Sequence, residues 1–281
     1  MKSLKKSALV LAMASLPFAA QADLKPIDDA QMGSITGQAG VTIELETRVD
    51  IGEFIYTDEG SLSIKDISIG GANTTGLFSE ITDFRDALGL DSTTNLIDNI
   101  AIVIDVLDDG DANIDISPLT AAPIDFGVST GEWTLQGHTD STVLASNFNM
   151  VGAFTKVGIR VDTATDKLTL NTKVGISDLD VDIDFLGLGI RDFKMTGAGY
   201  MGKDLAGNAG NANVLTLGAD IILDVYKDTR LSGTGDALAI DLQTFAADIS
   251  IGEVLVGGAT IGSVMMDNLV VQDTTMRIYG H

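Results

Sequence analysis

The stretch VTIELETR, residues 41–48, sets Val41, Ile43, Leu45 and Thr47 against Thr42, Glu44, Glu46 and Arg48. A period of two with one apolar and one polar face is the signature of a half-buried β-strand. The same alternation returns at 49–56, 61–70, 100–106, 112–116, 157–163, 168–172, 174–183, 214–225, 238–242, 247–256 and 261–278. The punctuation agrees, with 31 Gly and only 4 Pro. So does the choice of acids: 33 Asp against 7 Glu favours turns and caps over helix interiors. These features predict an all-β chain. The expected architecture is long antiparallel strands in a curled sheet or sandwich, with an irregular β-solenoid as the alternative.

One segment departs from the pattern. Leu77, Phe78, Ile81, Phe84 and Leu88 follow helical spacing and Gly89 supplies a stop, so one short helix over 76–89 is predicted to cap the β core. A second pattern recurs: apolar-x-apolar-x-[Asp/Asn]-apolar-x-apolar. It reads LSIKDISI at 62–69, VGISDLDV at 174–181, LGIRDFKM at 188–195 and VMMDNLVV at 264–271, with NLIDNIAI at 95–102 a looser copy. The apolar residues change parity across the Asp or Asn, so a straight strand would send the two pairs to opposite faces. Burial on one side therefore requires a bend or bulge near Asp66 and its counterparts. A longer likeness links the chain's two ends. VDIGEF followed by GSLSIKDISI matches ISIGEV followed by GSVMMDNLVV, aligning Ile51-Gly52-Glu53 with Ile251-Gly252-Glu253. It has the form of a duplication, or of one β motif used twice.

Before the strands come Lys2, Lys5 and Lys6, the apolar stretch Ala8–Ala20, and Ala20-Gln21-Ala22. This is the order of a secretory signal, with cleavage expected before Asp23. The 13-residue apolar run is short for a membrane span, which takes roughly 20. Residues 1–22 are therefore assigned to a signal peptide. Residues 23–281 are assigned to a single β-rich domain with a polar lead-in at 23–40. Without the three signal lysines, 14 bases face 40 acids, a net charge of −26. Such a surface repels nucleic acid and anionic headgroups and attracts divalent cations. The chain has no cysteine, so its stability must come from the core. A membrane barrel also alternates, but aromatics at 5% are too few for two girdles, and Arg277-Ile278-Tyr279-Gly280-His281 lacks a terminal aromatic.

The chemistry on offer is narrow. The two histidines, His138 and His281, and the lack of cysteine exclude a Cys/His zinc site, and leave His138 alone as a base for a serine triad. No nucleophile elbow, P-loop or dinucleotide fingerprint occurs. The Gly-rich GAGYMGKDLAGNAGNAN (197–213) lacks a Lys-Ser/Thr ending and reads as a hairpin tip. In DVLDDGDANID (105–115), Asp109, Asp111, Asn113 and Asp115 recur every second residue, like the first half of a calcium loop. Ile114 and Thr120 stand where an EF-hand needs Gly and Glu, so only a noncanonical calcium site is available there. Asp178, Asp180, Asp182 and Asp184 share one strand face, which reads as a wet, aggregation-resistant edge more readily than as a glycosidase pair.

The run GSITGQAGVTIELETRVDIGEFIYTDEGSLSIKDISIGG (33–71), directly after a short signal, resembles a family of poorly characterised secreted gammaproteobacterial proteins associated with pilus or filament systems. The ending DNLVVQDTTMRIYGH (267–281) is similar too. The resemblance carries no catalytic residues. It implies an exported, non-enzymatic protein of the periplasm, cell surface or exterior. Such a protein would be a structural or accessory component of a pilus-like assembly, with envelope or surface proteins, or copies of itself, as partners. No nucleic acid is expected, and no transmembrane span after signal removal. The alternative is a periplasmic β-rich carrier holding a lipid or other apolar ligand.

Overall fold

The alternating segments between Val41 and Ile278 build one sheet of thirteen strands in which every pairing is antiparallel. The structure is a computed structural model and describes residues 40–72, 95–120, 122–202 and 216–280, all within the unit Gly40–His281. A solenoid stacks its strands in parallel, so the antiparallel alternative is the one the chain adopts.

The connectivity is simpler than thirteen strands suggest, because several of them lie end to end. The chain crosses the sheet eight times as a meander. The first pass is β1 (Val41–Thr47) and β2 (Val49–Thr57); the second is β3 (Ser61–Gly70) and β4 (Ile97–Val106). The third pass joins β5 (Ala112–Pro118), β6 (Ile124–Thr130) and β7 (Trp133–Gln136). The fourth is β8 (Ser141–Asp162) and the fifth β9 (Lys167–Ile183). The sixth is β10 (Leu188–Thr196) with β11 (Ala219–Thr229), both held between β9 and the seventh pass, β12 (Asp236–Val256). The eighth is β13 (Ala259–Ile278), which pairs with β12 across Gly257 and Gly258. Both of those glycines have positive φ, 57° and 80°, as a two-residue hairpin turn requires. β10 and β11 do not pair with each other, so the chain leaves the sheet after Thr196 and rejoins it at Ala219, an excursion within one pass; residues 203–215 of the Gly-rich stretch expected to form a hairpin tip lie outside the described residues.

Every pass is broken or bulged on one transverse line, here called the seam. It runs through Arg48, the break between Gly70 and Ile97, the break between Pro118 and Ile124, Thr155, Ser177, the break between Thr196 and Ala219, Asp248 and the Asp267–Asn268 bulge. Most of the buried residues line up along it: Ile100, Ala122, Ile124, Ala153, Met195, Leu217, Ala219, Ala247 and Ile249. At the described ends of the excursion between β10 and β11, Leu217 and Tyr200 pack on Ala153, while Met195, Ala219, Ala247 and Ile249 pack with Phe193, Phe245 and Leu269 beside them. Burying apolar surface yields about 25 cal/mol per Å², and the seam holds most of the fully buried apolar side chains of the described residues. The helix expected over 76–89 and the signal at 1–22 lie outside the described residues.

The recurrent Asp/Asn signature does bend the chain. Asp66, Asn99, Asp192 and Asn268, the fifth residues of four copies, all have φ between 50° and 62°. Short polar side chains tolerate that left-handed region better than other non-glycine residues. At Asn99 and Asn268 the strand bulges, two residues facing one. At Asp192 the ladder stays one-to-one and the facing residue is Gly252, where an added Cβ would lie 2.7 Å from that of Asp192. The glycine of Ile251-Gly252-Glu253 is thus required by the strand beside it. The copy at 174–181 differs, with Asp178 in ordinary strand geometry and Ser177 the extra residue. VLASNFNM (143–150) is a further copy, with φ 52° at Asn147.

Candidate interaction edges

Two sets of polar groups stand out, and both are structural. At the seam, short side chains hold the excursions in place. The Asp248 carboxylate is fully buried and accepts N–H groups of Gly199 (3.1 Å), Met201 (2.9 Å), Gly202 (3.4 Å) and Asn268 (2.8 Å). Asn99 accepts from the Thr120 N–H and donates to the Ala122 carbonyl, and Asp125 accepts from the Ala72 N–H. In the far half of the sheet, Asp224 is buried and accepts from Lys167 (2.9 Å), Thr169 (2.6 Å) and Gln243 (2.5 Å). Burial pushes its pKa up, but those three hydrogen bonds outweigh it and the net shift is down. Nearby, Arg277 lies between Asp241 (2.6 Å) and Asp228 (2.8 Å), while Tyr226 donates to Asp241.

The acidic motifs read from the sequence divide among different partners. Asp111 is buried and accepts from Arg160, the Thr163 N–H and the Thr163 hydroxyl. The Thr163 backbone bond, opposed by burial and helped by the Thr163 hydroxyl and Arg160, keeps its carboxyl below the usual range. Asp109 accepts from the Asp111 N–H and closes the turn, while Asn113 and Asp115 are on β5, opposite Asp105 and Val103. The structure thus places all four in one loop-and-strand segment and commits the Asp111 oxygens to an arginine and a threonine. Among the described residues no three acid, His or Cys groups converge to hold a metal. In the Asp178–Asp184 row, Asp182 is bound by Asn147 and Arg191, and Asp180 accepts the Asp192 N–H. Burial, then Asp180 and Asp192, raise the pKa of Asp178, and its Oδ1 is buried without a hydrogen bond. Asp184 sits in a 3-10 turn, Asp184–Leu186. His138 is exposed in the turn between β7 and β8.

The sheet has two open edges; the apolar-rich stretch Val254–Met266 marks one of them in the sequence, and nothing there marks the first pass as the other. The first pass bonds only to β3 and β4, and β13 bonds only to β12. Among the described residues no pairing joins them, so the sheet does not close. Each edge carries a short stretch that is apolar on both faces. Phe54, Ile55 and Tyr56 are consecutive and 50–60% exposed, and Val264, Met265 and Met266 on the opposite edge are consecutive and 38–56% exposed. Neighbouring strand residues point to opposite faces, so neither face is covered there. Val41, Ile43, Leu45, Val49 and Ile51 extend the first edge; Ile261, Val270, Met276 and Ile278 extend the second. Only Asp267, Asp273 and Arg277 are charged among the twenty residues of β13. Soluble sheets ordinarily blunt an edge with short strands, lysines or prolines, and this one uses few such devices. The signal available in the sequence was the low charge of 254–266.

Surface clefts are small by comparison. One of about 390 Å³ opens beside Tyr56, Leu62 and Leu135, and one of about 330 Å³ beside Asp182, Arg191 and Leu255. Among the described residues no helix is long and apolar enough to cross a membrane.

Residues 1–108 match a family of unknown function (DUF6160), a stretch that takes in the first two passes of the sheet. No curated protein and no solved structure matches the chain.

Proposed function

We propose that this protein is an exported, non-enzymatic component of a surface or filament assembly at the cell envelope, joining its partners through the edges of its sheet. The observation that carries this reading is the pair of long edges, unpaired among the described residues, each with an exposed stretch that is apolar on both faces. An edge strand is a template for another strand: backbone hydrogen bonds supply affinity and the side chains specificity. Exposed apolar patches of this kind mark interaction sites. The resemblance of residues 33–71 and 267–281 to secreted proteins associated with pilus systems points the same way. The polar clusters support a non-enzymatic role, since each carboxylate in them is spent on holding backbone or on an ion pair.

Cell fractionation followed by native mass spectrometry of the purified complex tests the reading. The protein is expected in envelope or surface fractions together with protein partners and without extractable lipid. A soluble periplasmic monomer carrying lipid would overturn it and favour a carrier.

A further inference from the structure

The two edges fit each other, and we infer that β13 of one copy pairs with the first pass of a second copy, head to tail. This rests on the association reading above and names the partner. Three features carry it. The meander has an even number of passes, so its first and last strands run in opposite directions. A second copy added beside β13 in the same orientation therefore continues the antiparallel order. The edges also match in length about the seam. β1 and β2 extend seven and nine residues to either side of Arg48, while β13 extends ten and eight to either side of Asp267–Asn268.

The third feature is the duplicated motif. Within one copy, Ala247, Ile249 and Ile251 of β12 face Leu269, Met266 and Val264 of β13. The residues matching Ile249 and Ile251 in the other copy of the motif are Val49 and Ile51, on the open edge. Placing the seam of the first pass against the seam of β13 sets Val49 and Ile51 of the second copy against the same Met266 and Val264. β13 would then carry the same motif at the same height on both flanks. In this register Arg48, the one base of the first pass, faces the Asp267–Asn268 bulge. Glu44, Glu46, Asp50 and Glu53 face Gln272, Val270, Met265 and Gly262, so no two acids oppose. Because the contact uses different surfaces on the two copies, it does not close on itself as a two-fold dimer. It propagates into a filament or a ring.

The chain has no cysteine, which allows a clean test on the full-length mature protein. Tagged Ile51→Cys is mixed with untagged Val264→Cys under mild oxidation. Facing strand positions bring Cα atoms within disulfide range, so mixed covalent dimer is expected at roughly tenfold the yield of the off-register pair Ile51→Cys with Met276→Cys. The unsubstituted protein is expected to form larger species as its concentration rises, and Val264→Lys to shift it towards monomer. Homodimers of each single variant, equal cross-linking in both registers, or no cross-link would overturn the inference. So would a double Ile51→Cys/Val264→Cys chain that links within itself as a monomer, since that is edge closure. If the protein co-purifies with envelope partners yet gives no copy-to-copy link, the association reading stands and this inference alone falls.

Discussion

The seam and the edges are made from the same residues and meet opposite fates. Ile249, on the seventh pass, is buried at 8% exposure, while Ile55 on the first pass is 56% exposed. Both sit in long, alternating, apolar-rich strands. The difference lies in what surrounds them: Ile249 has a strand on each side and an excursion strand junction at the same height, whereas Ile55 has a neighbour on one side only. Burial in this protein is a property of position in the meander, and it concentrates on the seam, where Tyr200 and Leu217 pack on Ala153 and strands on both sides enclose Ile249.

Substitutions at the two places should therefore separate stability from association. The largest stability effect is expected at Asp248. Removing its carboxylate in Asp248→Ala leaves four backbone N–H groups of the 199–202 turn and Asn268 without their acceptor. A loss of roughly 3–5 kcal/mol, or failure to fold, is expected in urea unfolding, the range for a stranded buried polar set. A fall below 1 kcal/mol would mean the excursion is not what holds the seam.

Next comes Asp224→Ala, which strands Lys167 and Gln243. Roughly 2–3 kcal/mol is expected, less than for a fully buried pair because Lys167 is partly exposed. The pH dependence has a definite sign. A carboxylate whose folded pKa lies below its unfolded value stabilises the fold above the unfolded value, near pH 4, and loses that contribution as pH falls through the folded one. Acid titration of the melting temperature should drop more steeply in the parent than in the variant.

Asp178→Asn should act in the opposite direction. Its carboxyl has a raised pKa and a buried oxygen without a hydrogen bond, so its charge opposes folding at neutral pH. The variant is expected to melt slightly higher at pH 7, with the advantage vanishing below the ordinary carboxylate range. At the edge, Met265→Asp should change the unfolding free energy by no more than about 0.5 kcal/mol, as exposed substitutions do, while weakening association, because in the register above it would face Asp50 of the next copy. An equal loss of stability would show that the edge is covered within the chain. The smallest effect is reserved for calcium. With the Asp111 oxygens engaged by Arg160 and Thr163, millimolar calcium is expected to leave the melting curve where chelator leaves it. A clear rise would instead assign an ion to Asp109, Asn113 and Asp115.

Much of this was legible from residues alone. Alternation located most strands, although it ended β8 too short by reading only 157–163. The stretch 141–156 mixes Ser, Asn, Gly and Phe without a clean period, yet pairing on both flanks keeps it extended. Alternation marks the 236–256 pass as two segments for a similar reason: Thr244 and its neighbours break it at the Gln243 bulge. The calcium motif was visible as spacing, but spacing cannot tell which oxygen meets Arg160, a residue 49 positions away from Asp111.

What the sequence determined by itself is everything that is local in cause. Period two and the Asp/Asn bends are set by backbone sterics within a few residues, so strand content and the parity switch at Asp66 follow from the letters. The tertiary structure alone decided the rest. That the bends and breaks of eight passes fall on one line, that Asp248 closes an excursion 46 residues upstream, and that VDIGEF lies on an open edge while ISIGEV lies inside depend on register across the whole sheet. Register is fixed by the sum of many cross-strand contacts, and no single stretch of sequence contains that sum.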